Sequence, residues 1–268
     1  MPLNLAISQN AIDSFAIEGH RFFEVSTRLW IGQRDTQQDA LIAAFPQGSD
    51  TGYLVLADGM GGHSSGEVAS AIVIEEVCAE IDEKLQSFAS FDRFIPEFLK
   101  VAARRANDSM DDNVQAAPSR VGMGSTLVAP VFLQDRLYWI SVGDSPLYLI
   151  RNGEIRQLNE DHSMAADIDF MVANGMISEE RGANHPDRNC LKSAITGHPI
   201  SKIDCPTEPE AIEDGDIFVL SSDGLQTLTD AEIRDCVVQS SDRDAGTIAN
   251  ALVDLVQDIA DPDQDNMT

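Results

Sequence analysis

The sequence predicts an α+β domain built on β-sheets. Three observations carry that reading: short apolar runs recur between turn residues, two amphipathic helical stretches interrupt them after the third run, and one more helix follows the last run. From Phe22 the runs "FFEVSTRL", "DALIAAF" and "GYLVLAD" read as strands, bounded by polar, glycine or proline punctuation. Ala69, Ile72, Val73, Val77, Ile81 and Leu85 then recur at three- and four-residue spacing, leaving Glu75, Glu76, Asp82 and Glu83 toward water. Phe94, Phe98, Leu99, Ala102, Ala106 and Met110 make a second stripe, with Asp92 the expected N-cap and Pro96 confined to the first turn. A meander follows: "STLVAPVFL", "RLYWISV", "PLYLI" and "EIRQL". The last two runs meet at Asn152-Gly153, which suits the two positive φ angles of a type I′ hairpin. Asp161 to about Asp204 shows no clean period, and an irregular stretch of that length inside a domain is usually functional or mobile. "DIFVLSSDG" restores a strand, and a last helix is expected near Gly246–Ala260.

Charge narrows the function. The 268 residues include 18 basic and 45 acidic ones, a formal charge of −27 that repels nucleic acid and anionic membranes, so neither is an expected partner. Cys78, Cys190, Cys205 and Cys236 stand at no zinc or redox spacing and read as reduced thiols in the cytoplasm. The first twenty residues hold acids and no long apolar core, which argues against a secretory signal. No run approaches the roughly 20 apolar residues needed to cross a bilayer.

The acids at run ends are the informative feature. Asp58 in "YLVLADG", Asp144 in "LYWISVGD" and Asp223 in "IFVLSSDG" each close an apolar run beside glycine, and Asp265 lies in "DNMT". Turn chemistry explains any one of them. Their recurrence suggests a shared sheet edge, where carboxylates must either protonate or share a cation. Oxygen ligands without a His/Cys cluster select hard ions such as Mg²⁺ or Mn²⁺. Two anion-binding motifs fail at "ADGMGGHSSGE": Ser64 stands where a dinucleotide fingerprint starting at Gly59 needs glycine or alanine, and a P-loop needs a lysine that is absent.

Taken in order, "RDTQQDA", "ADGMGGH", "GSTL", "SVGDS", "HPDRN", "SSDGL" and "DNMT" resemble the metal-dependent Ser/Thr protein phosphatases of type 2C in their bacterial form. The resemblance spans Phe22 to Thr268, leaving 1–21 as an N-terminal extension. It implies two antiparallel sheets packed as a sandwich, helices on both outer faces, and a centre of two Mn²⁺ or Mg²⁺ ions with a third, weaker site. By resemblance, Asp58 bridges the pair, Gly59 offers its carbonyl, Asp223 and Asp265 complete the shell, and Asp144 with Asp223 marks the third site. Arg34 matches the phosphate-binding arginine, whose fork suits two phosphate oxygens. Asp39 orders metal-bound water from close by. Residues 163–188 match a flap bordering the site, whose Phe170, Met171, Val172 and Met176 are expected to pack down on the domain. Gln38 stands where the family more often carries glutamate, and Met60 where some relatives carry histidine. His63, Ser125, Thr126, His162, His185 and Asn189 sit in motif stretches, with turn and strand-end roles expected.

The implied activity is hydrolysis of phosphoserine and phosphothreonine in proteins by a metal-activated water. The substrate would be the target of a Ser/Thr kinase or the kinase itself. Two alternatives stay open: a two-metal hydrolase of a small phosphate or phosphodiester, and a non-catalytic regulatory protein with this fold, which the neutral Gln38 favours.

Overall fold

The computed structural model describes residues 23–46, 49–62 and 65–268, and for 85–91 the backbone alone. The expected extension at 1–21, Phe22, His63 and the Leu85 side chain lie outside the described residues.

The larger sheet runs β1 (Asp39–Ala44), β2 (Thr51–Met60), β4 (Leu127–Leu133), β5 (Arg136–Val142) and β8 (Glu210–Ala211), with β3 (Gly124–Ser125) paired to the end of β2. The smaller runs β7 (Glu154–Gln157), β6 (Leu147–Arg151) and β9 (Ile217–Leu220). Every pairing is antiparallel. Alternation along the strands then builds three apolar layers. Leu127, Ala129, Val131 and Leu133 of β4, with Tyr53, Val55 and Ala57 of β2, face α1 (Ser65–Phe91) and α2 (Ile95–Ala116). Val128, Phe132, Leu137 and Trp139 face the other way, where Leu147, Phe218 and Leu220 of the small sheet meet them. Tyr148, Ile150, Ile217 and Val219 turn outward onto α5 (Asp230–Gln239) and α6 (Ala245–Ile259). The result is the expected four-layer sandwich. Phe132 anchors its centre, 5.1 Å from Phe23, 5.5 Å from Phe45 and 5.4 Å from Phe218 between ring centroids.

The expected four-run meander splits, β4 pairing with β5 in the larger sheet and β6 with β7 in the smaller, while turn chemistry fixes the β6–β7 hairpin as expected. Asn152 and Gly153 have φ of 53° and 81°, the two positive values a type I′ hairpin demands. Pro96 sits in the first turn of α2.

Several expectations change. "FFEVSTRL" forms no strand over its described residues; only Trp30 bridges, to Met267. Its side chains are engaged elsewhere, Phe23 in the inter-sheet cluster and Glu24 accepting from the Ala245 amide at 2.9 Å. Asp92 opens a 3₁₀ turn and pairs with Arg136; the residue before α2 is Phe94. The segment from Asp161 contains two helices, α3 (Ala165–Ala173) and α4 (Glu179–Ala183). They lie close: a Cβ on Gly182 would stand 2.3 Å from Val172 Cγ2. Phe170 and Met176 do not pack down; both are exposed, and Ile168 is the buried residue of α3. α5 was not expected, although Thr229 and Glu232 form a capping box readable as T-x-x-E. All four cysteines are free, Cys190 on the surface.

Candidate metal centre

The sheets deliver acids to one end of the sandwich. Along β2, Leu54, Leu56 and Asp58 share the face turned toward the second sheet, and Asp58 pairs directly with Asp39 of β1. Like charges placed opposite one another cost stability, so this pairing needs a reason beyond folding. Asp58 is therefore inside a strand, not at its end as the sequence pattern suggested. From the small sheet, the phase of Phe218 and Leu220 carries on to Ser222, whose hydroxyl donates to Asp39 Oδ2 at 2.7 Å across the two sheets. Asp223 follows it in a 3₁₀ turn, and Asp144 sits in the turn between β5 and β6.

Thr126 holds the Asp58 stretch in place. Its hydroxyl accepts from the Asp58 amide at 3.0 Å and shares a hydrogen bond with Ser145 Oγ at 2.9 Å, while its own amide donates to the Asp58 carbonyl at 2.9 Å. Ser125 is buried in β3, its amide donating to Ile195. The chain also crosses itself tightly here. A Cβ on Gly59 would lie 2.1 Å from the Gly66 carbonyl oxygen, and one on Gly66 would lie 2.6 Å from Gln38 Cδ, so glycine alone permits the approach.

The C-terminal stretch brings Asp265 in. Gln264 accepts from the Gln33 amide at 2.9 Å through its carbonyl, and its buried side chain donates to the Gly224 carbonyl at 2.9 Å. Asn266 is saturated: its Oδ1 accepts from the Gln38 amide at 2.7 Å, and its Nδ2 donates to the carbonyls of Ile31 and Thr36 at 2.8 and 3.1 Å. It staples the Arg34 loop to the Asp265 segment. Arg34 Nη2 in turn meets Asp265 Oδ2 at 2.7 Å. Sequence reasoning missed Ser222, Gln264 and Asn266 as supports; the only signal was their adjacency to the acids.

Electrostatics tie the five carboxylates together. Burial, then Asp39, Asp223, Asp144 and Asp265, push the Asp58 carboxyl well above the usual range. Burial raises Asp39, with Asp265 adding and the Ser222 hydroxyl opposing. Asp144 is pushed to about 7 by burial and then by Asp223 and Asp161, and Asp223 to about 6 by burial and then by Asp265 and Asp39. Among the described residues, no three His, Cys, Asp or Glu side chains are gathered closely enough to hold an ion as they stand. The fit to a hard cation rests on the donors: Asp39 Oδ1 and Asp223 Oδ1 are buried with no hydrogen-bond partner, and every acid here gains from a nearby positive charge.

Arg34, Asp144, Asp223 and Asp265 line one cleft of about 670 Å³. Ala165, Ala166 and Asp169 of α3, with Arg188 and Asn189, form part of its wall; Gln226, Thr229, Asp230, Asp261 and Asp263 form part of the remainder. Asp39 and Asp58 are not in its lining. His185 takes a turn role, accepting from the Asp187 amide at 3.2 Å. No helix among the described residues is long and apolar enough to cross a membrane.

Comparison with known proteins agrees with this fold. The Protein phosphatase 2C family matches residues 31–257. The serine/threonine protein phosphatase PstP of Mycobacterium tuberculosis is 37% identical over 172 residues, covering 64% of this chain and 31% of that protein. The chain thus spans about a third of that relative's length. Protein phosphatase PhpP of Streptococcus pneumoniae is 27% identical over 216 residues, covering 80% and 84% of the two chains. The catalytic domain of PstP, solved in complex with two manganese ions, superposes with a TM-score of 0.71 at 29% identity, over 90% of this chain and 93% of that one.

Proposed function

This chain belongs to the protein phosphatase 2C family, and from that membership we propose that it hydrolyses phosphoserine and phosphothreonine in proteins with two Mn²⁺ or Mg²⁺ ions as cofactors. When bound, the ions supply Lewis acidity and a water acidic enough to act near neutral pH. Asp58 would be shared between them, with the Gly59 carbonyl on one and Asp223 and Asp265 on the other. Asp144 with Asp223 would hold a third, weaker ion.

The chain's own groups do the rest. Arg34 is exposed at the cleft, and its guanidinium fork suits two oxygens of a phosphoryl group, offsetting their charge as the bond to the leaving oxygen lengthens. Asp39, fixed through one oxygen by Ser222, has the other free to orient a water beside Asp58. Residues 163–188, forming one side of the cleft, act as a flap over bound substrate. The observation that carries this reading is the cross-strand Asp39–Asp58 pair set among three further carboxylates, an arrangement that a bound cation makes favourable once the acids are ionised. Its partners would be proteins phosphorylated by a Ser/Thr kinase, or that kinase, in the cytoplasm.

The test is hydrolysis of a phosphothreonine peptide, a phosphodiester and an aryl phosphate, each with Mn²⁺ and with chelator. Metal-dependent turnover of the peptide supports the proposal. Turnover of the diester alone points to a phosphodiesterase, and Mn²⁺ binding without turnover of any of the three to a regulatory protein.

A further inference from the structure

His162 belongs to none of the roles above, yet it sits at a junction. Its side chain is fully buried. Its Nδ1 accepts the Gly143 amide at 3.2 Å, and its own amide returns a hydrogen bond to the Gly143 carbonyl at 3.0 Å. Its carbonyl takes the Lys192 amide at 2.7 Å, and the next residues continue the contact, Ser163 bridging Leu191 and Met164 donating to Cys190 at 2.9 Å. One residue thus joins the turn that carries Asp144, the entry to the flap, and the segment that leaves it.

Gly143 is the weak point of that turn. Its φ of +115° lies where side chains are strained, and a Cβ there would stand 2.6 Å from Thr126 Cγ2. A turn with so free a backbone needs an external hold to aim the next side chain, and the His162 ring supplies it. Because Nδ1 accepts, the neutral ring carries its proton on Nε2, a buried atom that makes no hydrogen bond and has Glu160 Oε2 3.8 Å away. A core histidine kept only for packing would be replaceable by an apolar residue without that cost. The missing hydrogen bond at Nε2 is tolerated because Nδ1 is in use and the Glu160 carboxylate stands nearby.

We propose that His162 is a positioning residue for Asp144, setting through Gly143 where that carboxylate enters the cleft and tying the weaker ion site to the root of the flap. This rests on the metal-dependent reading above. Outer-shell groups of this kind typically change metal affinity by about 10- to 100-fold when removed.

The experiment compares the intact protein with His162→Asn, His162→Gln and Asp144→Asn. Asparagine places an amide oxygen close to where Nδ1 stands; glutamine carries its amide one bond too far. Mn²⁺ binding is measured by calorimetry, and backbone amide exchange at Gly143 and Asp144 by NMR without metal. The expected result is that His162→Gln weakens the weakest Mn²⁺ site about tenfold, as Asp144→Asn does, while the tighter ions stay as in the parent and His162→Asn restores the affinity. Gly143 and Asp144 amides should exchange faster in His162→Gln and return toward the parent rate in His162→Asn. Parent-like Mn²⁺ binding by a folded His162→Gln overturns the proposal, as does failure of His162→Asn to restore it. If the parent binds no Mn²⁺, the metal-dependent reading fails on its own account, and the exchange rates still decide: unchanged rates in His162→Gln overturn the positioning role.

Discussion

Arg34 and Asp265, at opposite ends of the described chain, meet in an ion pair 2.7 Å long at the mouth of the cleft. One is the proposed phosphate ligand and the other a proposed metal ligand, so the pair competes with both proposed roles. Both are substantially exposed, which makes the pair worth little as a stabilising contact.

Arg34→Ala should therefore move two quantities in opposite directions. Losing the guanidinium removes a phosphate contact and raises KM for a phosphothreonine peptide by about tenfold or more. Losing its charge frees Asp265 and tightens Mn²⁺ binding. Steady-state kinetics and calorimetry on the same protein check both, and weaker Mn²⁺ binding would count against the pairing.

Asp58→Asn replaces the carboxylate shared by the proposed ions with a neutral amide. Hydrolysis of the peptide should fall by at least about 10²-fold with saturating Mn²⁺. His63→Ala should keep most of the activity, and equal inactivity of the two variants would show that His63 has a catalytic task.

Asn266→Asp keeps size but turns two donors into an acceptor facing the Ile31 and Thr36 carbonyls. Unpaired buried polar groups cost about 1–3 kcal/mol each, so the unfolding midpoint should drop by several degrees. Activity should fall further than stability explains, because the Arg34 loop loses its staple. Parent-like kinetics in a folded variant would contradict that.

The metal-free protein should weaken as pH rises. Asp144 and Asp223 have folded values of about 7 and about 6, above the ordinary 3.8, so the folded state binds more protons across that window. Their contribution is fully present below about pH 4 and is lost as pH climbs through about 7. With chelator, Asp144→Asn should be the more stable protein at pH 8, by roughly 5 °C, and about equal to the parent at pH 4. Saturating Mn²⁺ should narrow or reverse the difference at pH 8, since an ion that binds only the folded state stabilises the parent more. Thermal melts at both pH values decide it.

Strand alternation was legible in the sequence, and with it most of the sandwich: "STLVAPVFL" and "RLYWISV" carry one apolar set toward α1 and α2 and another toward the second sheet. Asn152-Gly153 named its own turn because the conformation is local. So were the acids, as residues that local turn chemistry could not account for collectively. The segment after Asp161 was not legible, since α3 buries little beyond Ile168 and so shows no apolar stripe. The strand expected from Phe22 failed because Phe23 and Glu24 serve partners far along the chain, which no local pattern reveals.

What the sequence determined alone was the set of candidate acids, their order, and the periodicities that pair one strand with the next. Tertiary structure decided the rest: that Asp39 lies across from Asp58, that Ser222 reaches Asp39 from the other sheet, and that Asn266 binds the Arg34 loop to the stretch holding Asp265. The reason is physical. Periodicity is fixed by backbone geometry within a few residues, whereas a contact between residues 183 or 231 positions apart exists only once two sheets have packed and their shared core has set the distance.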